Sequence, residues 1–114
     1  MMIPLPAFPA AVLAGLLAAG TGASAAEDNR VRGWTIAAQL CSSCHVIGRA
    51  QQSGAFVGPA FLRIATLSST TGPALNVFLQ SHHQSMPSLR LDRDEMDAVI
   101  DYILSLKEVE VEHR

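Results

Sequence analysis

Five consecutive residues, Cys41-Ser42-Ser43-Cys44-His45, set two thiols and an imidazole at short, fixed spacing. C-x-x-C-H is the order in which a polypeptide is joined to c-type haem. Thiols three positions apart reach the two vinyl groups of a porphyrin and bond them as thioethers. The histidine directly after the second thiol then falls beneath the ring, where it ligates iron. Three other chemistries use a C-x-x-C pair. A thioredoxin-like redox dithiol needs a βαβ pattern around it, and the flanking sequence offers none. A zinc site needs two further ligands at similarly tight spacing, a rule that the adjacent pair His82-His83 fits poorly. A structural disulfide rarely closes so small a loop. The pattern therefore predicts one covalent haem c on Cys41 and Cys44, with His45 on the iron.

Iron held by His45 has a second axial position. Beyond residue 26 the side chains able to fill it are Met86, Met96, His82, His83 and His113. Met96 falls on the apolar stripe of a helix, a core position, and His113 lies at the extreme terminus. Met86 stands in a loop, and Pro87 after it restricts its backbone to extended conformations. Met86 is the expected ligand, with His82 or His83 as the runner-up; the other role for the two histidines is surface solvation or a hydrogen bond to a propionate. Histidine and methionine together close the coordination sphere. A thioether is a weak donor to ferric iron and raises the reduction potential. Such a site passes single electrons, and no catalytic residue is expected.

Residues 1–26 carry no charged side chain. Ala10 to Ala19 is rich in alanine and leucine, and Ala23-Ser24-Ala25 offers the small-x-small pattern of a secretory cleavage site. The expectation is a signal peptide over 1–26, cut near Ala25 or Ala26, and a periplasmic domain over 27–114. The competing reading is a retained membrane anchor, against which Pro4, Pro6, Pro9, Gly15 and Gly20 argue. A basic n-region is missing. Export suits the motif, because bacteria join haem to C-x-x-C-H outside the cytoplasm.

The elements that must position these residues read as helices and loops. Asp28 or Asn29 caps a first helix running from Arg30 through the motif, with Gly33, Ala37 and Cys41 on one face. Glycine inside a helix costs about 1 kcal/mol against alanine, and the reason expected for Gly33 is close approach by another helix. Residues 46–58 form a loop ending at Gly58-Pro59. A short helix covers Ala60 to Ala65. Pro73 opens a middle helix that carries Leu75, Phe78 and Leu79 on one side and ends near Ser81. Asp92 and Glu95 form a capping box, and Leu91 with Met96 a hydrophobic staple. Met96, Val99, Ile100, Ile103 and Leu104 continue as a helical stripe. The tail from Glu108 to Arg114 alternates valine with glutamate and is expected to fray.

In this order of elements the chain resembles the class I c-type cytochromes over nearly all of residues 27–114. The resemblance rests on the helix entering Cys41 to His45, on Gly58-Pro59, on Ser85-Met86-Pro87, and on a last helix, Asp92 to Leu106, bearing Tyr102. It implies an all-α, small cytochrome c fold, in which N- and C-terminal helices cross while a middle helix and loops wrap one covalent haem. It also implies that Pro59 offers its carbonyl to the outer ring nitrogen of His45, and that Gly33 lets the first helix cross the last against Tyr102. Three departures stand out. Mitochondrial-type relatives carry an aromatic four residues before the first cysteine, where this chain has Ala37; Trp34 is expected to fill that space. They also carry many lysines at the haem edge, whereas Lys107 is the one lysine here. The propionate partners cannot be matched; Arg49, Arg63, Arg90 and His83 are candidates.

The full chain has a net charge of −2, but no acidic residue falls between Asn29 and Leu91, where Arg30, Arg32, Arg49, Arg63 and Arg90 stand. A locally basic haem edge would dock on an acidic redox partner, a periplasmic dehydrogenase or terminal oxidase, through an attraction that salt weakens. Nothing suggests nucleic-acid binding, and the mature chain is expected to be monomeric and to have no membrane span. Two other functions stay open. One is a haem subunit fixed within a periplasmic dehydrogenase or oxidase complex. The other is a five-coordinate, ligand-binding haem protein in which Met86 does not bind. With 5% aromatic residues and both cysteines in the motif, a domain of about 88 residues has little to build a core from. The haem-free double variant Cys41→Ala, Cys44→Ala is therefore expected to be poorly folded; circular dichroism checks this, and a cooperative, native-like melt would refute it.

Overall fold

A computed structural model describes residues 2–7, 21–81 and 85–112. Four helices run in chain order: α1 (Thr21–Leu40), α2 (Phe61–Thr66), α3 (Gly72–Gln80) and α4 (Arg93–Glu112). Among the described residues there is no β-strand, so the fold class is all-α. α4 is the hub. It packs along α1 over their most extensive contact, and α2 and α3 each lie against it. No helix of the described residues is long and apolar enough to cross a membrane.

The start of α4 follows from side-chain hydrogen bonding at its first turn. Asp92 Oδ1 accepts from the Glu95 amide at 2.8 Å, and Glu95 Oε2 accepts from the Asp92 amide at 2.9 Å. Two donors that the helix cannot satisfy internally are thereby paired. Met96 is buried and Leu91 packs against the same core, so the staple expected across the cap is in place. α3 begins similarly: Thr71 accepts from the Ala74 amide at 3.2 Å, and Pro73 occupies the first turn, where its missing N–H costs nothing.

Gly33 decides how the two long helices meet. A Cβ at this position would run into the Ala98 carbonyl and stand 2.8 Å from Tyr102 Cβ. Glycine lets the α1 backbone touch the α4 backbone directly. Ala37 and Cys41, one and two turns further on the same face, are buried against the shared core with Val99, Tyr102 and Ile103. At the periphery Arg30 pairs with Glu108 at 2.8 Å, and Asn29 donates to the Asp101 carboxylate.

Four expectations need correction. α1 is already helical at Thr21, upstream of the expected start at Arg30, because Ala23, Ala25 and Ala26 are strong helix formers and the Asn29 side chain is bonded to Asp101 rather than to a helix end. α1 also stops at Leu40, so the cysteine motif follows the helix instead of lying within it. Trp34 does not fill the space expected of it: it is 50% exposed, and Ala37 itself is fully buried because the α1–α4 approach leaves room for no more. The tail continues as helix to Glu112, past the Arg30–Glu108 ion pair. Most of the proposed signal segment, together with His82, His83, His113 and Arg114, lies outside the described residues.

Gly33→Ala is expected to destabilise the fold by about 2 kcal/mol or more, since a backbone carbonyl cannot yield as a side chain can. For a domain this small that is a fall of roughly 10 °C in melting temperature. Gly72→Ala, whose Cβ would meet only Ile100 and Leu104 side chains at 3.9 Å, should change it little. Equal thermal melts for the two variants would contradict the close crossing.

Candidate functional site

Immediately after α1 the backbone tightens into the motif. The Cys41 and Ser42 amides both bond the Ala37 carbonyl, and the Cys44 and His45 amides both bond the Cys41 carbonyl. This turn projects Cys41, Cys44 and His45 into one cavity of about 590 Å³, within the range of about 300–1,000 Å³ typical of small-molecule sites. Gly58, Pro59 and Phe61 come from the chain after the loop, Leu75, Phe78 and Leu79 from α3, and Val99 and Ile103 from α4. The segment before α4 adds Met86, Leu89 and Leu91. The structure thus brings both thiols, the imidazole and the thioether of Met86 to the walls of a single space, although Met86 stands 41 positions from His45 in sequence.

The walls are overwhelmingly apolar. Val57, Leu67 and Phe78 line the space yet are 83%, 51% and 49% exposed. An apolar occupant would take them out of water at about 25 cal/mol per Å². The cavity therefore suits a large hydrophobic guest better than a polar substrate.

The imidazole of His45 is held on several sides. Its Nδ1 donates to the Pro59 carbonyl at 2.6 Å, which leaves Nε2 as the nitrogen with a lone pair. Gly58 lies so close to the ring that a Cβ there would stand 2.6 Å from Nδ1. Phe61, buried, meets the same ring at 5.4 Å between centroids with a 49° tilt. Both cysteines are free thiols. Burial pushes the Cys41 thiol above its usual range, and neighbouring Cys44 adds to the effect, so Cys41 is neutral near pH 7.

The backbone of the motif is pinned from outside by residues that carry no mark of this role in the sequence. The Gly58 amide bonds the Cys44 carbonyl and the Phe61 amide bonds the Val46 carbonyl, each at 2.9 Å. Tyr102, from α4, donates its hydroxyl to the Ile47 carbonyl at 2.6 Å. Arg49 reaches the Leu106 carbonyl near the far end of α4, which sets one of the candidate propionate partners to a structural task. Gln52 bonds the motif twice, at the Ser42 and His45 carbonyls, and the Ile47 amide once. A glutamine in a Gly/Gln/Ser-rich loop carries no local signal of such a role. Arg32, Arg63 and Arg90 are exposed, while Arg30 is engaged by Glu108, so the local basic excess is smaller at the surface than in the sequence.

Among the described residues no group of three or more His, Cys, Asp or Glu side chains is placed to hold a metal ion, and no strand accompanies the C-x-x-C pair. Those residues offer neither a zinc cluster nor a thioredoxin-like frame. Compared with protein-family models, curated proteins and solved structures, the chain finds no match in any of the three.

Burial pushes the Tyr102 hydroxyl above its ordinary pKa of 10.0, against a smaller opposite pull from Arg49. A phenol raised in the folded state contributes its full stabilisation below about pH 10 and loses it as pH climbs through the folded value. Melting temperature should therefore fall more steeply above pH 10 in the wild type than in Tyr102→Phe. At pH 7 that variant should be less stable by about 1–2 kcal/mol, because the Ile47 carbonyl loses its donor. Cys41 titrates in both proteins, so the difference isolates the tyrosine. Parallel pH profiles would contradict this assignment.

Proposed function

We propose that the chain is an exported one-electron carrier, a class I c-type cytochrome with a single covalent haem c and no enzymatic activity of its own. The observation that carries the reading is the shared cavity: both thiols of C-x-x-C-H, its histidine and the loop methionine line one apolar space of suitable size. The proposal stands on the motif and this geometry. The residues present fit the group by type. Two thiols supply thioether bonds, an imidazole and a thioether supply axial ligands, and the remaining walls are aliphatic and aromatic. When bound, the iron of such a group exchanges single electrons.

The chain's own residues perform the rest. Pro59, through its carbonyl, holds the His45 tautomer and the orientation of the ring. Met86, a soft and weak donor, favours the reduced state, and Pro87 limits the conformations of the segment carrying it. Leu75, Val99 and Ile103, which are buried, would keep water from the inner wall, lowering the local dielectric and favouring the less charged state. With His45 and Met86 both holding the iron, no coordination site would be left open for a substrate. The exposed Arg32, Arg63 and Arg90 would offer positive charge to an acidic redox partner.

The purified exported protein should keep its colour on a denaturing gel and show a low-spin absorption spectrum with a methionine-to-iron band. Met86→Ala should become high-spin and bind carbon monoxide at neutral pH, while His82→Ala and His83→Ala remain low-spin. A colourless protein would sink the proposal. A wild type that itself binds carbon monoxide at neutral pH would replace the carrier with a ligand-binding haem protein.

A further inference from the structure

We infer that Gln52 is a positioning residue for His45, a role that rests on the haem reading above. The turn from Cys41 to Ile47 leaves main-chain groups that no helix pairs. The carbonyls of Cys41, Cys44 and Val46 are taken by backbone amides, and that of Ile47 by Tyr102. The Ser42 and His45 carbonyls are taken by one side-chain amide nitrogen: Gln52 Nε2 donates to them at 3.0 and 2.8 Å. The same carboxamide accepts from the Ile47 amide through Oε1 at 3.1 Å. Its orientation is dictated by these partners, because a flipped amide would face two carbonyls with an oxygen and an N–H with another N–H donor.

The consequence reaches the imidazole. Gln52 ties residue 42, between the two thiols, to the carbonyl of His45 and to the amide two residues further on. It therefore fixes the Ser42–Ser43, His45–Val46 and Val46–Ile47 peptide planes, the second of which is joined to the Cα that carries the imidazole. The Nδ1 bond to Pro59 is only 2.6 Å long, and Gly58 and Phe61 close on the ring. A backbone shift at His45 larger than these contacts allow would cost the ring its seat, and the bond from Gln52 to the His45 carbonyl opposes such a shift. Gln52 touches no reacting atom; it acts through the backbone of the residue that does.

The test uses the exported holoprotein as wild type, Gln52→Met, Gln52→Glu and the control Asp92→Ala, which removes the α4 cap far from the motif in sequence. Methionine keeps the bulk without the hydrogen bonds; glutamate keeps the acceptor for Ile47 but cannot donate to both carbonyls. Each protein is assayed for covalent haem on a denaturing gel, for thermal melting, and by electron paramagnetic resonance of the ferric form, whose g values report the orientation of the axial ligands. The expected result is covalent haem in all four. Asp92→Ala should melt lower with an unchanged resonance, whereas both Gln52 variants replace the single low-spin signal with shifted or multiple ones. Gln52 variants that keep the wild-type resonance, whatever their melting temperature, would overturn the positioning role while leaving the haem reading intact. The role is equally overturned if both fail to accumulate when Asp92→Ala does, since that is the behaviour of a purely structural clamp. A wild type without covalent haem removes the haem reading, and this role with it.

Discussion

The α1–α4 contact at Gly33 is the constraint on which the remaining geometry hangs. With no side chain between them, the two backbones meet at Gly33 and Ala98, and that contact sets the separation of the helices along their whole shared length. Two turns beyond Gly33 stands Cys41, the first residue of the motif; one turn beyond Ala98 stands Tyr102, whose hydroxyl reaches the Ile47 carbonyl. The distance between motif and α4 is thus fixed at the helix crossing and then fastened by the Tyr102–Ile47 and Arg49–Leu106 hydrogen bonds. A wider separation would leave Tyr102 short of its acceptor and Val99 and Ile103 away from the cavity they line.

The loop from Ile47 to Pro59 solves a different problem. A turn that presents three side chains to one space cannot also bury its own carbonyls in regular structure, and an unpaired buried carbonyl costs as much as a lost hydrogen bond. Gln52 returns to the turn from within the loop, and Gly58 and Phe61 approach it from the loop's end. Pro59, which has no amide hydrogen to donate, is placed where only its carbonyl is needed, against Nδ1 of His45. The apolar cavity and the polar scaffold behind it are therefore two faces of one arrangement: side chains forward, main chain backward.

Several features are legible in the residues because their causes are local. The capping box at Asp92 and Glu95, the staple of Leu91 and Met96, and the proline opening α3 depend on neighbours within about one helical turn, and the structure carries all three. Gly33 is legible for another reason: its cost within a helix demands a compensating contact. The start of α1 is not legible, because Asn29 resembles a cap in isolation, whereas its amide is spent on Asp101, 72 positions away. Nor is the place of Trp34, because size alone suggests burial, while the crossing leaves its face of α1 toward solvent.

By itself the sequence determined that thiol, thiol and imidazole stand at fixed covalent spacing, and it determined the helical class through short-range periodicity and caps. Only the tertiary structure decided which distant groups serve the motif. That Met86 shares the cavity with His45, that Arg49 goes to Leu106, and that Gln52 rather than Gln51 or Ser53 holds the turn are outcomes of long-range packing. Neighbouring polar residues in a loop are chemically near equivalent until the chain closes. The path of the backbone between Ile47 and Gly58 then brings one of them to within 3.0 Å of the carbonyls that need a donor.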